Sequence, residues 1–132
     1  MTTTPDHAVV TTTTATEAAA RTLAARAVEE RLAACAQIYP ISSVYRWEGA
    51  IAQDREWRVD FKTRGDLVER LSAFLTEHHD YETPEVIAVP VVAGSAGYLD
   101  WVTRETRPDR SGPAPVSPRP ASTPVQEIRP TA

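Results

Sequence analysis

Apolar residues along this chain switch from period two to period 3.6 and back again, twice, and that order leaves few folds open. Ala8-Val9-Val10-Thr11-Thr12-Thr13 is short and β-branched, which predicts a strand. Thr16-Glu17 opens an Ala-rich run to about Ala34, with Thr16 placed as N-cap and Glu17 favourable in the first turn. At about 100° per residue, Ala20, Leu23, Ala24, Ala27, Val28, Leu32 and Cys35 share roughly half the circumference. Arg31 falls inside that arc and needs a partner or a route to water.

The segment Gln37 to Trp47 is β-rich, and Pro40 within it demands a bulge or an edge position. Glu48-Gly49-Ala50 turns the chain. Trp57, Val59 and Phe61 then alternate with Glu56, Arg58, Asp60 and Lys62, which completes a long hairpin with one wet face. Gly65-Asp66 starts a second helix with Leu67, Leu71, Phe74 and Leu75 on one face. His78 lands on that face near the helix end, and His79 about 100° away. Tyr81-Glu82-Thr83-Pro84 breaks the helix. The apolar run from Glu85 to Val92 predicts a strand buried on both faces. Beyond Gly94-Ser95-Ala96-Gly97, a short amphipathic segment carries Tyr98, Leu99, Trp101 and Val102.

The resulting order, β-α-β-β-α-β with a terminal helix, is an α+β, ferredoxin-like arrangement: one antiparallel sheet with both main helices on a single face. Such a monomer leaves its far sheet face bare. Tyr45, Trp47 and Trp57 on a long hairpin add more apolar surface than a monomer usually exposes, so self-association is expected.

With 132 residues there is room for one domain. Seven of the 11 prolines lie from Pro108 onward, where no aromatic residue occurs. Residues 108–132 are therefore expected to form a disordered tail, and 1–7 a flexible N-terminus, around a body of residues 8–107. Pro115-Val116-Ser117-Pro118 has PxxP spacing, but a solvated tail is the plainer reading and its partner stays open. With a net charge of −4, nonspecific nucleic-acid or anionic-membrane binding is not expected, and Lys62 is the one lysine among 14 basic residues, which excludes a Lys-rich phosphate-tracking groove. No run approaches a membrane span, the N-terminus lacks a signal-peptide pattern, and the single Cys35 cannot form an internal disulfide. A reduced, cytoplasmic protein is the expectation.

Three ordered stretches carry a resemblance. The first is Val28-Glu29-Glu30-Arg31-Leu32-Ala33-Ala34-Cys35-Ala36; the second is Ser43-Val44-Tyr45-Arg46-Trp47-Glu48-Gly49-Ala50-Ile51. The third runs from His78-His79-Asp80-Tyr81-Glu82-Thr83-Pro84-Glu85-Val86-Ile87 through Pro90-Val91 and Gly94 to Tyr98-Leu99-Asp100-Trp101. In this order and spacing the chain resembles the CutA family of divalent-cation-tolerance proteins, over about residues 7 to 107. The resemblance implies a ferredoxin-like fold and a homotrimer whose hairpins pair between subunits. It also implies a link to copper and other divalent cations, without established catalysis. Family members commonly carry proline where this chain has Asp80, which would loosen the helix exit beside His79.

Cys35, His78 and His79 match the positions that the resemblance associates with metal. Thiolate and imidazole suit copper or zinc. Adjacent histidines on a helix diverge too far to share one ion unless the helix has already ended. Packing for Cys35 and helix-end electrostatics for the histidines remain the alternatives. Placed at a helix C-terminus, Cys35 would be a poor nucleophile, and no enzyme activity is expected. Trp47, Lys62, Tyr81, Glu85 and Trp101 are the residues most like a pocket, although core or interface anchoring and a Lys62–Glu85 pair at a sheet edge explain them as well. GxSxG, Walker and zinc-type patterns are absent from the sequence, and no organic cofactor is expected. The function expected is a trimeric copper- or divalent-cation-binding tolerance protein. The alternative is a trimeric signalling or scaffold module that, like the similarly folded PII proteins, binds a small molecule between subunits.

Overall fold

A computed structural model describes residues 3–108. Strand β1 (His7–Thr14) leads to helix α1 (Glu17–Glu29), and the hairpin strands β2 (Cys35–Trp47) and β3 (Ala50–Arg64) follow. A 3-10 turn at Gly65–Leu67 enters α2 (Val68–His78), then come β4 (Val86–Pro90) and α3 (Ala96–Glu105). The four strands form one sheet in the order β2-β3-β1-β4, every neighbouring pair antiparallel. This is the ferredoxin-like α+β arrangement that the alternating periods predict.

Side chains alternate across the sheet, and the register decides which face each one joins. Val10 faces Phe61, and Phe61 faces Ala36 on its other side. These residues, with Val59, pack against Ala20, Leu23, Ala24 and Ala27 of α1 and Leu71, Phe74 and Leu75 of α2. The odd-numbered positions of β1 and β2 and the even ones of β3 look the other way. α3 reaches that second face, because His7 and Cys35, both on it, bond to Thr103 and Tyr98.

Thr16 caps α1, its hydroxyl accepting from the Ala19 N–H at 3.1 Å. The helix then stops five residues before Ala34. Glu30 is the C-cap and Arg31 takes φ 59°; the Leu32 N–H reaches the Ala27 carbonyl (2.9 Å) and the Arg31 N–H reaches that of Val28 (3.0 Å). This is a Schellman closure, with buried Leu32 supplying its usual apolar contact. Cys35 therefore opens β2 and does not sit on the helix. The Arg31 side chain finds its partner across the fold, Nη1 donating to the Glu105 carbonyl at 3.2 Å.

Glu48 (φ 49°) and Gly49 (φ 80°) form the two-residue turn between Trp47 and Ala50, the mirror-image turn that matches strand twist. Pro40 pairs with Trp57 in an unbroken register, so its position is accommodated by β2 being an outer strand, with no bulge. β1 ends opposite Trp57. Beyond it, seven pairs from Ile41–Glu56 to Trp47–Ala50 project as a bare two-stranded ribbon.

One expectation is corrected here. Residues 85–92 do not form a strand buried on both faces: β4 is the other outer strand, and Ile87 and Val89 are exposed. Of its apolar run, Val86 packs against the core and residues 87–90 are exposed. The stretch that enters β1 also touches the rest of the fold. His7 already belongs to β1, and the Asp6 carbonyl accepts from the Gly65 N–H at 2.9 Å. The chain passes so close that a Cβ on Gly65 would lie 1.6 Å from the Pro5 carbonyl oxygen. The Pro-rich tail expected at 108–132 lies, beyond Pro108, outside the described residues.

Candidate functional site

The three residues considered as metal ligands fall in two places. Cys35, at the start of β2, faces Lys62 across the hairpin. Its half-buried Sγ lies 3.2 Å from the Tyr98 hydroxyl of α3. The Lys62 ammonium donates to Gln37 Oε1. Lys62, Thr63, His7, Val91, Tyr98 and Leu99 line a cavity of about 200 Å³ under α3. That is smaller than the roughly 300 Å³ at which small-molecule pockets usually begin.

The histidines stand at the end of α2 and part company there. His78 is its last residue, and its Nδ1 donates to the Phe74 carbonyl at 2.9 Å, which leaves the lone pair on Nε2. His79 has left the helix with extended backbone (φ −83°, ψ 146°), and its side chain is 0% exposed. Nε2 meets the Thr13 carbonyl at 2.7 Å, and Nδ1 accepts the Tyr81 N–H at 3.0 Å. A carbonyl can only accept, so the hydrogen-bond network assigns the proton to Nε2. Both ring nitrogens are thus engaged, and in this conformation His79 has no lone pair for an ion. Among the described residues no three His, Cys, Asp or Glu side chains come together as a metal cluster.

The five pocket residues do not converge either. Trp47 is at the hairpin tip and 60% exposed. Trp101 packs beside the Tyr98 ring, centroids 5.6 Å apart. Glu85 offers its backbone carbonyl to the Thr12 hydroxyl at 2.6 Å, while Lys62 binds Gln37 instead of Glu85. Only Lys62 of the five lines the cavity under α3. Sequence reasoning did not assign Tyr98 or Gln37 to the site. The strand register brings Gln37 to it, and Tyr98 reads in sequence as one more apolar-face residue of α3.

Tyr81 donates to Glu56 Oε1 at 3.1 Å, tying the loop after α2 to the base of the ribbon. Burial, then the Glu56 carboxylate, pushes its phenol well above the ordinary value of 10.0. Tyr39 is raised by burial and by Asp60, and Tyr45 by its hydrogen bond to Asp54. A phenol raised in the folded state contributes stability that is complete below the unfolded value and lost as pH climbs through the folded one. The urea midpoint should hold to about pH 10 and fall above it, and Tyr81→Phe should lessen that fall. Equal decline in parent and variant would place the alkaline loss elsewhere.

An antiparallel sheet backed by two helices, with an overlong hairpin and a third helix on its other face, defines a ferredoxin-like α+β domain. Residues 8–105 match the family model described as CutA1 divalent ion tolerance protein, and the chain belongs to that family. It is 44% identical over 100 residues to "Protein CutA, chloroplastic" of Arabidopsis thaliana, covering 75% of this chain and 55% of that protein. It is 40% identical over 99 residues to the "Divalent-cation tolerance protein CutA" of Thermus thermophilus, covering 74% of this chain and 96% of that one. The solved structure of CutA from Synechococcus elongatus superposes with a TM-score of 0.76 at 39% identity, over 81% of this chain and 95% of that chain. The chain thus spans little more than half the length of the plant relative but nearly all of the bacterial ones. No helix among the described residues is long and apolar enough to cross a membrane.

Proposed function

We propose that this chain assembles into a homotrimer that binds copper or similar ions and contributes to metal-ion tolerance, acting in the cytoplasm and not as an enzyme. The observation that carries the assembly is the projecting ribbon. A two-stranded hairpin is marginal alone in water, yet this one extends seven pairs past β1 with Val44, Trp47 and Ile51 exposed. At the opposite edge β4 offers an apolar strand. Paired edges between subunits cover both. The metal part is supported by family membership and by the donor atoms available, the Cys35 thiol and the His78 Nε2, both suited to copper.

Sedimentation equilibrium at micromolar concentration should return about three times 14.5 kDa, and calorimetry should detect copper binding that weakens as the pH is lowered, because protons compete with the ion for thiol and imidazole donors. A monomer would remove the assembly, and a flat titration the metal. A second reading is a small molecule held between subunits, although the cavity under α3 is small for one on its own. A melting shift with a metabolite while metal is chelated would favour it.

A further inference from the structure

On the second face of the sheet a polar cluster gathers around Asp60. Its carboxylate accepts from the Thr11 hydroxyl at 2.8 Å and the Tyr39 hydroxyl at 2.9 Å, one from the strand on either side of β3. Arg58 stands two residues back on β3, between Thr13 and Tyr39. Its Nε is buried and makes no hydrogen bond among the described residues. Asp60 Oδ1 lies 3.5 Å from it, an ion pair but too long for a hydrogen bond. The guanidinium is thus answered by one carboxylate that two hydroxyls already share, and a polar group in that position is short of an acceptor. The Arg58 side chain is still 33% exposed, so a further acceptor can reach it from outside the subunit.

The hairpin carries four carboxylates, Glu48, Asp54, Glu56 and Asp60. Tyr45 holds Asp54 and Tyr81 holds Glu56. Glu48 has no partner among the described residues and is exposed at the tip of the ribbon. It also takes φ 49°, a left-handed conformation that glycine, asparagine and aspartate adopt with less strain. The turn's backbone therefore gives no reason for a glutamate at this place. The ribbon runs seven pairs past β1, about 23 Å at 3.3 Å per residue. Four strands span about 14 Å, so the tip reaches across a neighbouring sheet.

We propose, resting on the trimer reading above, that the Glu48 carboxylate of one subunit accepts from the Arg58 guanidinium of the next. Each polar cluster is then completed only between chains. Repeated head to tail, the contact uses every tip and every cluster once in a closed ring.

The experiment is sedimentation equilibrium of the full-length protein across a urea series, reading the urea concentration at which the mass falls from three chains to one. The samples are the parent, Glu48→Gln, Arg58→Gln, the double variant and Glu48→Arg. Each single neutralisation should lower that concentration by about 1 M. The double variant should fall no further than either single one. Glu48→Arg, which sets two cations against each other, should fall furthest. Glu48 is exposed and unpartnered within its described subunit, so its variants carry the test even if Arg58→Gln unsettles the cluster around Asp60. If Glu48→Gln and Glu48→Arg dissociate where the parent does, the pair is refuted and the trimer reading stands. Losses that add in the double variant would also overturn it, by giving the two side chains separate partners. A parent that sediments as one chain without urea ends both.

Discussion

His79→Ala should lower the melting temperature by roughly 15 °C or more. Its imidazole is wholly buried and joins two backbone groups from different parts of the chain, the Thr13 carbonyl and the Tyr81 N–H. Thr13 lies one residue past the last β1–β4 pair, Thr12–Val86, and the imidazole meets its carbonyl there. Truncation strands both polar groups at about 1–3 kcal/mol each and opens a cavity where the ring stood. A total of roughly 3–5 kcal/mol follows, and each kcal/mol moves a domain of this size by about 4–8 °C. His79→Gln, which keeps one amide donor, should recover part of the loss. A variant that melts like the parent but loses a copper-binding event would move His79 from the core to the metal.

The second large effect concerns the ribbon. Val44 and Ile51 lie diagonally on one face of it, exposed by 68% and 59%. If neighbouring subunits cover that face, Val44→Asp with Ile51→Asp buries two unpaired carboxylates per subunit, each costing several kcal/mol. The sedimenting mass should fall from three chains to one, with no loss of helical signal. The core lies at the other end of the hairpin, around Val59 and Phe61. A trimer that persists in the double variant would place the contact on a different surface.

Element order and sheet topology were legible because periodicity reports which face of each element is apolar. The limits were specific. The end of α1 was hidden because its left-handed closing residue is Arg31, where the usual signal is glycine, and Leu32 and Cys35 continue the helical spacing by coincidence. The apolar run of β4 reads as doubly buried because a continuous apolar run does not say which elements cover it. Residue types at the site were legible, their grouping was not. His78 and His79 are adjacent in sequence, yet the helix ends between them and sends one ring to a shallow groove beside α1 and the other to the core. Nothing in the local pattern encodes that Thr13, 66 residues away, is waiting for it.

The strand order also sets a timetable. The β2–β3 hairpin closes on itself around Glu48-Gly49 and can form within about 1–10 μs of its synthesis. β1 is made first but sits between β3 and β4, so its second edge is filled only when Val86–Pro90 has emerged. At about 5–20 residues per second, the wait from Thr12 to Val86 is roughly 4 to 15 seconds. For that interval the central strand of the sheet is a sticky edge. Its C-terminal half is Thr11-Thr12-Thr13-Thr14, a run that water solvates through four hydroxyls while β1 waits. Once folded, Thr11 bonds to Asp60, Thr12 to the Glu85 carbonyl and Thr14 to the Thr16 carbonyl. Valines there would forfeit those three bonds in the finished sheet and aggregate far more readily on the ribosome.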